Sequence, residues 1–125
     1  MFPIVIQVAL GGAIGAVARY LFGVGVARFV SGASFPFAII SVNILGSFLM
    51  GLVVASALER GAGASAFLTV GVLGGFTTFA AFSLEAVTLY ERGDVGAAVI
   101  YVVGSVVLSI LGLALGFWIA RGLAT

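Results

Sequence analysis

Cysteine, histidine and lysine are all missing from this sequence, and charged residues of any kind make up only 7% of it. Without cysteine or histidine the chain has no disulfide, no thiolate chemistry, none of the usual zinc ligand sets and no imidazole to carry protons. The missing lysine removes any GxxxxGK phosphate loop, and a net charge of +1 carried by scattered arginines gives no basic patch for nucleic acid. Four carboxylates remain, Glu59, Glu85, Glu91 and Asp94, and only Glu85 stands outside the clusters that read as loops. Most enzyme classes are excluded on this inventory. The scarcity of charge also excludes a water-soluble domain, which needs roughly 25% charged residues to clothe its surface. With 63% hydrophobic residues and a mean hydropathy of +1.39, the outside of this chain faces lipid.

A spanning helix takes about 20 mostly apolar residues, and the charge-free runs of that length are 1–18, 29–58, 61–84 and 95–120. The first run resembles a secretory signal in its small, uncharged residues, but it lacks a basic leader segment and is followed by further spans, so it reads as a transmembrane helix. The separators are Arg28 to Pro36 with Ser31, Gly32 and Ser34, then Glu59-Arg60-Gly61, then Glu91-Arg92-Gly93-Asp94, each a short polar turn. The spacing predicts helices over 3–28, with a possible bend at Gly23, and over 36–58, 65–91 and 95–121, both termini on one side. All 125 residues are absorbed into a single four-helix transmembrane domain. The runs lack the alternation of a β-barrel, so the fold class is an all-α membrane protein.

Many of the 19 glycines sit inside these spans at small-xxx-small spacing, as in Gly11/Gly15, Ser47/Gly51, Gly71/Gly75 and Gly112/Gly116. Such rows let helix backbones approach closely. The arginines divide almost evenly between the two sides, Arg60 and Arg121 against Arg28 and Arg92, with Arg19 near the far end of the first helix. A chain with so little positive-inside bias is suited to insert both ways round, and two opposed copies make an antiparallel homodimer with a two-fold axis in the membrane plane.

The stretch 70–85, VGVLGGFTTFAAFSLE, sets Gly71, Gly74 and Gly75 before a threonine pair in mid-span. It reads either as close glycine packing in an unbroken helix or as an unwound turn whose carbonyls face inward, a setting for a dehydrated hard cation such as Na+. Phe79 and Phe82 then follow at i, i+3, with Phe76 a turn back on nearly the same side. They serve either as core or lipid-facing rings or as positive ring edges beside an anion. Asn43, deep in the second span, must find a partner, either another helix or a bare anion. Tyr101, Ser105 and Ser109 form a hydroxyl stripe at i, i+4, i+8, able to hand an anion along or to bond back to their own helix. Arg19 and Glu85 are the ionisable groups nearest the span interiors, placed to act there, to pair, or to snorkel to the headgroups.

Three motifs in order, GGAIGAVARY at 11–20, VNILGSFLMG at 42–51 and GGFTTFAAFSLE at 74–85, resemble the CrcB/Fluc fluoride channels, and the resemblance spans essentially the whole chain. It implies a dual-topology antiparallel homodimer in the inner (plasma) membrane that passes fluoride passively out of the cell and relieves its toxicity. It also implies a broken third helix and a structural Na+ at the dimer interface. By residue, it implies pore roles for Asn43, Phe79, Phe82, Tyr101, Ser105 and Ser109, vestibule or gating roles for Arg19 and Glu85, and Na+ contacts from the backbone carbonyls of Gly74 and Thr77. Where the family commonly reads TTFSTFS this chain reads TTFAAFS, with Ala80 and Ala81 in place of two hydroxyls. Ala38 and Ile39 likewise replace a Gly-Thr pair before Asn43, leaving Ser41 and Ser83 as substitutes if they face the pore. The rival is a proton-coupled exporter of the small multidrug resistance type, which needs a carboxylate in its first helix. This chain has none before Glu59.

Overall fold

A computed structural model of the chain describes residues 3–30, 35–61, 63 and 65–124. These residues form four helical passes with no strand among them. Helix α1 covers Ile4–Phe29 and α2 covers Phe37–Glu59; the third pass begins with a π-helical segment, Phe67–Leu73, continues as the single turn α3 (Gly74–Phe76) and resumes after a gap as α4 (Phe79–Glu91). Helix α5, Val95–Ala124, completes the set. All four passes are long and apolar enough to cross a membrane, which makes this a multi-pass membrane protein. The bounds fall within a few residues of those predicted, and α1 runs uninterrupted through Gly23.

The ends of these helices follow simple rules. The two prolines, Pro3 and Pro36, stand immediately before α1 and α2, where a missing N–H leaves no helical carbonyl unpaired. Gly61 after α2 and Gly93 between α4 and α5 take positive φ, +69° and +82°, as reversing the chain in a few residues requires. The turn residues Ser31, Gly32 and Ser34 lie outside the described residues.

Packing divides the passes into two layers. Helix α1 lies along the π-helical segment and α3, while α2 lies along α5, and α4 also packs on α5. Glycine rows make both of the tight contacts. A Cβ added to Gly11 would stand 2.9 Å from the Gly71 Cα, and one added to Gly75 would stand 2.7 Å from the Gly12 carbonyl oxygen. On the other layer a Cβ on Gly51 would strike the Leu113 carbonyl, and one on Gly116 the Phe48 carbonyl. The small-xxx-small rows thus do pack, Gly11/Gly15 against Gly71/Gly75 and Gly51 beside Gly112/Gly116. Ser47 behaves differently, as described below.

Candidate functional site

The third pass is broken where the sequence places Thr77 and Thr78. Both are extended, at φ −85°, ψ 158° and φ −153°, ψ 122°, between helical neighbours. Each threonine ends one half of the pass. Thr77 donates both its N–H (3.0 Å) and its hydroxyl (2.9 Å) to the Leu73 carbonyl, closing the first half. The Thr78 hydroxyl accepts from the Ala81 N–H at 3.1 Å and caps the start of α4.

Two side chains from other helices take up the backbone groups that the break frees. Asn43 on α2 pairs reciprocally with Thr78, its Nδ2 donating to the Thr78 carbonyl at 3.0 Å and its Oδ1 accepting from the Thr78 N–H at 2.8 Å. Arg19 on α1 donates from Nε to the Gly75 carbonyl at 3.2 Å, where the negative end of the first half-helix is exposed. Removing that donor leaves a carbonyl unpaired away from water. An Arg19→Ala protein is therefore expected to lose about 1.5 to 3 kcal/mol of stability, read as a lower thermal midpoint in detergent. An unchanged midpoint would show that the contact contributes nothing.

Beside the break, between α2 and α5, lies a cavity of about 350 Å³. Asn43, Gly46 and Ser47 line it from α2, Ser105 and Ser109 from α5, and Thr77, Thr78, Phe79 and Phe82 from the third pass. Gly46 opens room at the break, since a Cβ there would overlap the Thr77 methyl. Ser105 is 4% exposed and its hydroxyl has no hydrogen-bond partner, a costly condition for a group that does not meet a ligand or water. Thr78 and Phe79 at the start of α4 border the cavity, which sets the positive end of that helix beside a space lined by donors.

The structure brings Asn43, Phe79, Phe82, Ser105 and Ser109 together, and it departs from expectation elsewhere. Tyr101 does not line the cavity; it is fully buried, stacked on Phe82 with ring centroids 5.3 Å apart and packed across Phe35 at 5.6 Å, its hydroxyl also without a partner. Phe76 does not share a face with Phe79, because the extended threonines interrupt the helical phase. Phe76 is buried edge-on against Phe22, whereas Phe79 is 78% exposed. Arg19 turns inward to the break instead of outward to headgroups, and no ion pair joins it to Glu85 among the described residues. Glu85 is half-buried and outside the cavity lining. Ser83 lies outside the cavity lining, exposed and donating to its own helix at Phe79. Neither Ser41 nor the alanines at 80 and 81 border the cavity.

Sequence reasoning missed the π-helical segment, for which periodicity offers no sign, and the capping role of Thr78, which the Thr-x-x spacing ahead of an apolar helix does signal. It also placed Ser47 in a packing row, although the side chain borders the cavity.

Comparison with known proteins gives a concordant picture. The chain is 56% identical over 126 residues to a protein of Ruegeria sp. (strain TM1040) named fluoride-specific ion channel FluC, with 100% of each chain covered. Proteins of the same name from Roseobacter denitrificans (56% identical over 119 residues, 94% of each chain) and Agrobacterium fabrum (49% over 119 residues, 93% of this chain and 94% of the other) align nearly as completely. The family model described as CrcB-like protein, Camphor Resistance (CrcB), matches residues 6–117, and with four apolar passes and a third pass broken at its threonine pair, this chain belongs to the CrcB family.

Proposed function

We propose that this protein is a fluoride channel and that it lets a cell release fluoride down its electrochemical gradient. The observation that carries the reading is the cavity beside the break, lined by hydroxyl and amide donors and containing a buried Ser105 hydroxyl with no protein partner. A small hard anion gives up its hydration only where fixed donors replace it. Asn43 has one N–H left after bonding Thr78, Ser105 and Ser109 add hydroxyls, and the N-terminal end of α4 adds a positive backbone potential. Phe79 and Phe82 stand 5.4 Å apart with their rings inclined at 45°, so ring edges offer further weak solvation that releases as readily as it binds. No step makes or breaks a covalent bond. A proton-coupled exporter is disfavoured by the same lining, which contains no carboxylate.

Phe79 is almost uncovered in a single chain, and Thr77 and Thr78 at the break are only partly covered. An antiparallel second copy would enclose both and form two pores, consistent with the near-tie in arginine placement. The interface would also hold a structural Na+. Among the described residues no three acidic, His or Cys side chains gather to hold a metal, and backbone carbonyls are the oxygen ligands we assign to it. Those of Gly74 and Thr77 receive no side-chain hydrogen bond, unlike those of Gly75 and Thr78, and their donor chemistry fits a hard cation. The setting is a cell's inner membrane.

Purified protein in fluoride-loaded liposomes tests the reading with a fluoride electrode, and chloride loading is the control. Rapid fluoride loss without chloride loss is expected, and vesicles that keep their fluoride would refute it. Replacing Phe79 with Ile keeps bulk but removes the ring edge. It is expected to slow fluoride efflux by about two- to tenfold, one aromatic contact's worth. Undiminished efflux would remove the ring from the mechanism.

A further inference from the structure

We infer that Ser47 is an anion-binding residue of this cavity, the next donor after Asn43 along α2. The inference rests on the channel reading above and adds a residue to its path. Ser47 lies one turn beyond Asn43 on α2 and lines the same space as Ser109 and the unpartnered, buried Ser105.

Three hydroxyls elsewhere in the third pass are consumed locally. Thr69 donates to the Ser65 carbonyl at 2.9 Å, Ser83 to that of Phe79 at 3.0 Å and Thr88 to that of Leu84 at 2.7 Å, each four residues back along the chain. Ser47 makes no such bond among the described residues, so its proton is available to whatever occupies the cavity. Asn43 cannot supply the whole path on this side, because one of its two donors and one acceptor position are committed to Thr78. Past Asn43 the lining turns apolar at Met50 and Leu113, which leaves Ser47 and Ser109 as the last donors before that stretch.

The spacing Ser47/Gly51 also fits a packing residue, and the two roles predict opposite orders of effect. Close packing demands a small side chain, so Ala would be harmless at 47 and Thr harmful. A donor role demands a hydroxyl, so Thr is tolerated and Ala is not. The test is fluoride efflux from liposomes for wild type, Ser47→Ala and Ser47→Thr, with thermal midpoints in detergent measured alongside. Expected are an Ala variant slowed about tenfold at an unchanged midpoint, the effect of one hydrogen bond to an anion, and a Thr variant within about twofold of wild type. Efflux from Ser47→Ala equal to wild type, or a Thr variant slower than the Ala variant, overturns the assignment and leaves the channel intact. Wild-type vesicles that hold their fluoride overturn the channel reading and this role together.

Discussion

Replacement of Asn43 by alanine is expected to reduce fluoride efflux about a hundredfold or more and to lower the thermal midpoint as well, because two functions are lost at one position. Its amide closes a two-bond ring with the Thr78 backbone, 35 residues away in sequence, and Asn43 also lines the cavity with one N–H uncommitted. In the membrane interior no water replaces those bonds, and interhelical hydrogen bonds there contribute about 0.6 to 2 kcal/mol each. The Thr78 N–H and carbonyl would both be stranded at the break. Thr78→Ala is the informative contrast. Both bonds to Asn43 use the Thr78 backbone, so they survive, and only the cap to Ala81 is lost, at a cost of about 1 kcal/mol. That variant is expected to retain most of its efflux. If it proves as inactive as Asn43→Ala, the threonine hydroxyl and not the backbone pairing is the sensitive element.

The passes themselves were readable in the sequence because the bilayer allows so few solutions. Charge-free runs of the right length and the short polar turns that separate them placed four helices to within a few residues. The glycine rows were legible as contact surfaces only when taken together, since glycine is frequent in membrane helices and any single pair fits that as well as it fits close backbone approach. Their partners were not legible. That Gly11 meets Gly71, or that Gly51 meets Leu113, depends on how the helices are arranged in space, which periodicity does not encode.

The break was harder still. Local sequence left an unbroken glycine-packed helix and an unwound turn both open at 74–78, because glycine and threonine suit either. Contacts from outside the pass decide it, Asn43 from α2 and Arg19 from α1 taking the backbone groups that an intact helix would have kept. The same break explains why helical spacing misplaced Phe76. Two extended residues shift the phase of everything that follows, so Phe76 enters the core while Phe79 emerges. Tyr101 shows the limit of a stripe argument. Its i, i+4 relation to Ser105 is correct, but the aromatic rings of Phe35 and Phe82 enclose it behind the cavity.

Gly15 carries the second large expected effect, and its value as a test lies in its neighbour. A Cβ at Gly15 would press on the Val72 carbonyl oxygen and stand 2.9 Å from the Phe76 nitrogen, both backbone atoms that cannot swing aside. A Cβ at Gly12, in the same helix three residues earlier, meets nothing within 4 Å. Gly15→Ala is therefore expected to cost about 1 to 3 kcal/mol through overpacking. Gly15→Leu, with three further carbons, is expected to yield no folded protein. Gly12→Ala should be neutral or gain up to about 1 kcal/mol from helix propensity. Efflux should fall further than stability alone predicts in Gly15→Ala, because Phe76 is the last residue before the break. Pushing it away from α1 shifts Thr77 and Thr78 relative to Asn43. Thermal midpoints and fluoride efflux of the two alanine variants, measured side by side, check both parts. Equal effects at 12 and 15 would mean that the first and third passes are not packed glycine to backbone. A destabilised Gly15→Ala with wild-type efflux would mean that the break is held by Asn43 and Arg19 alone.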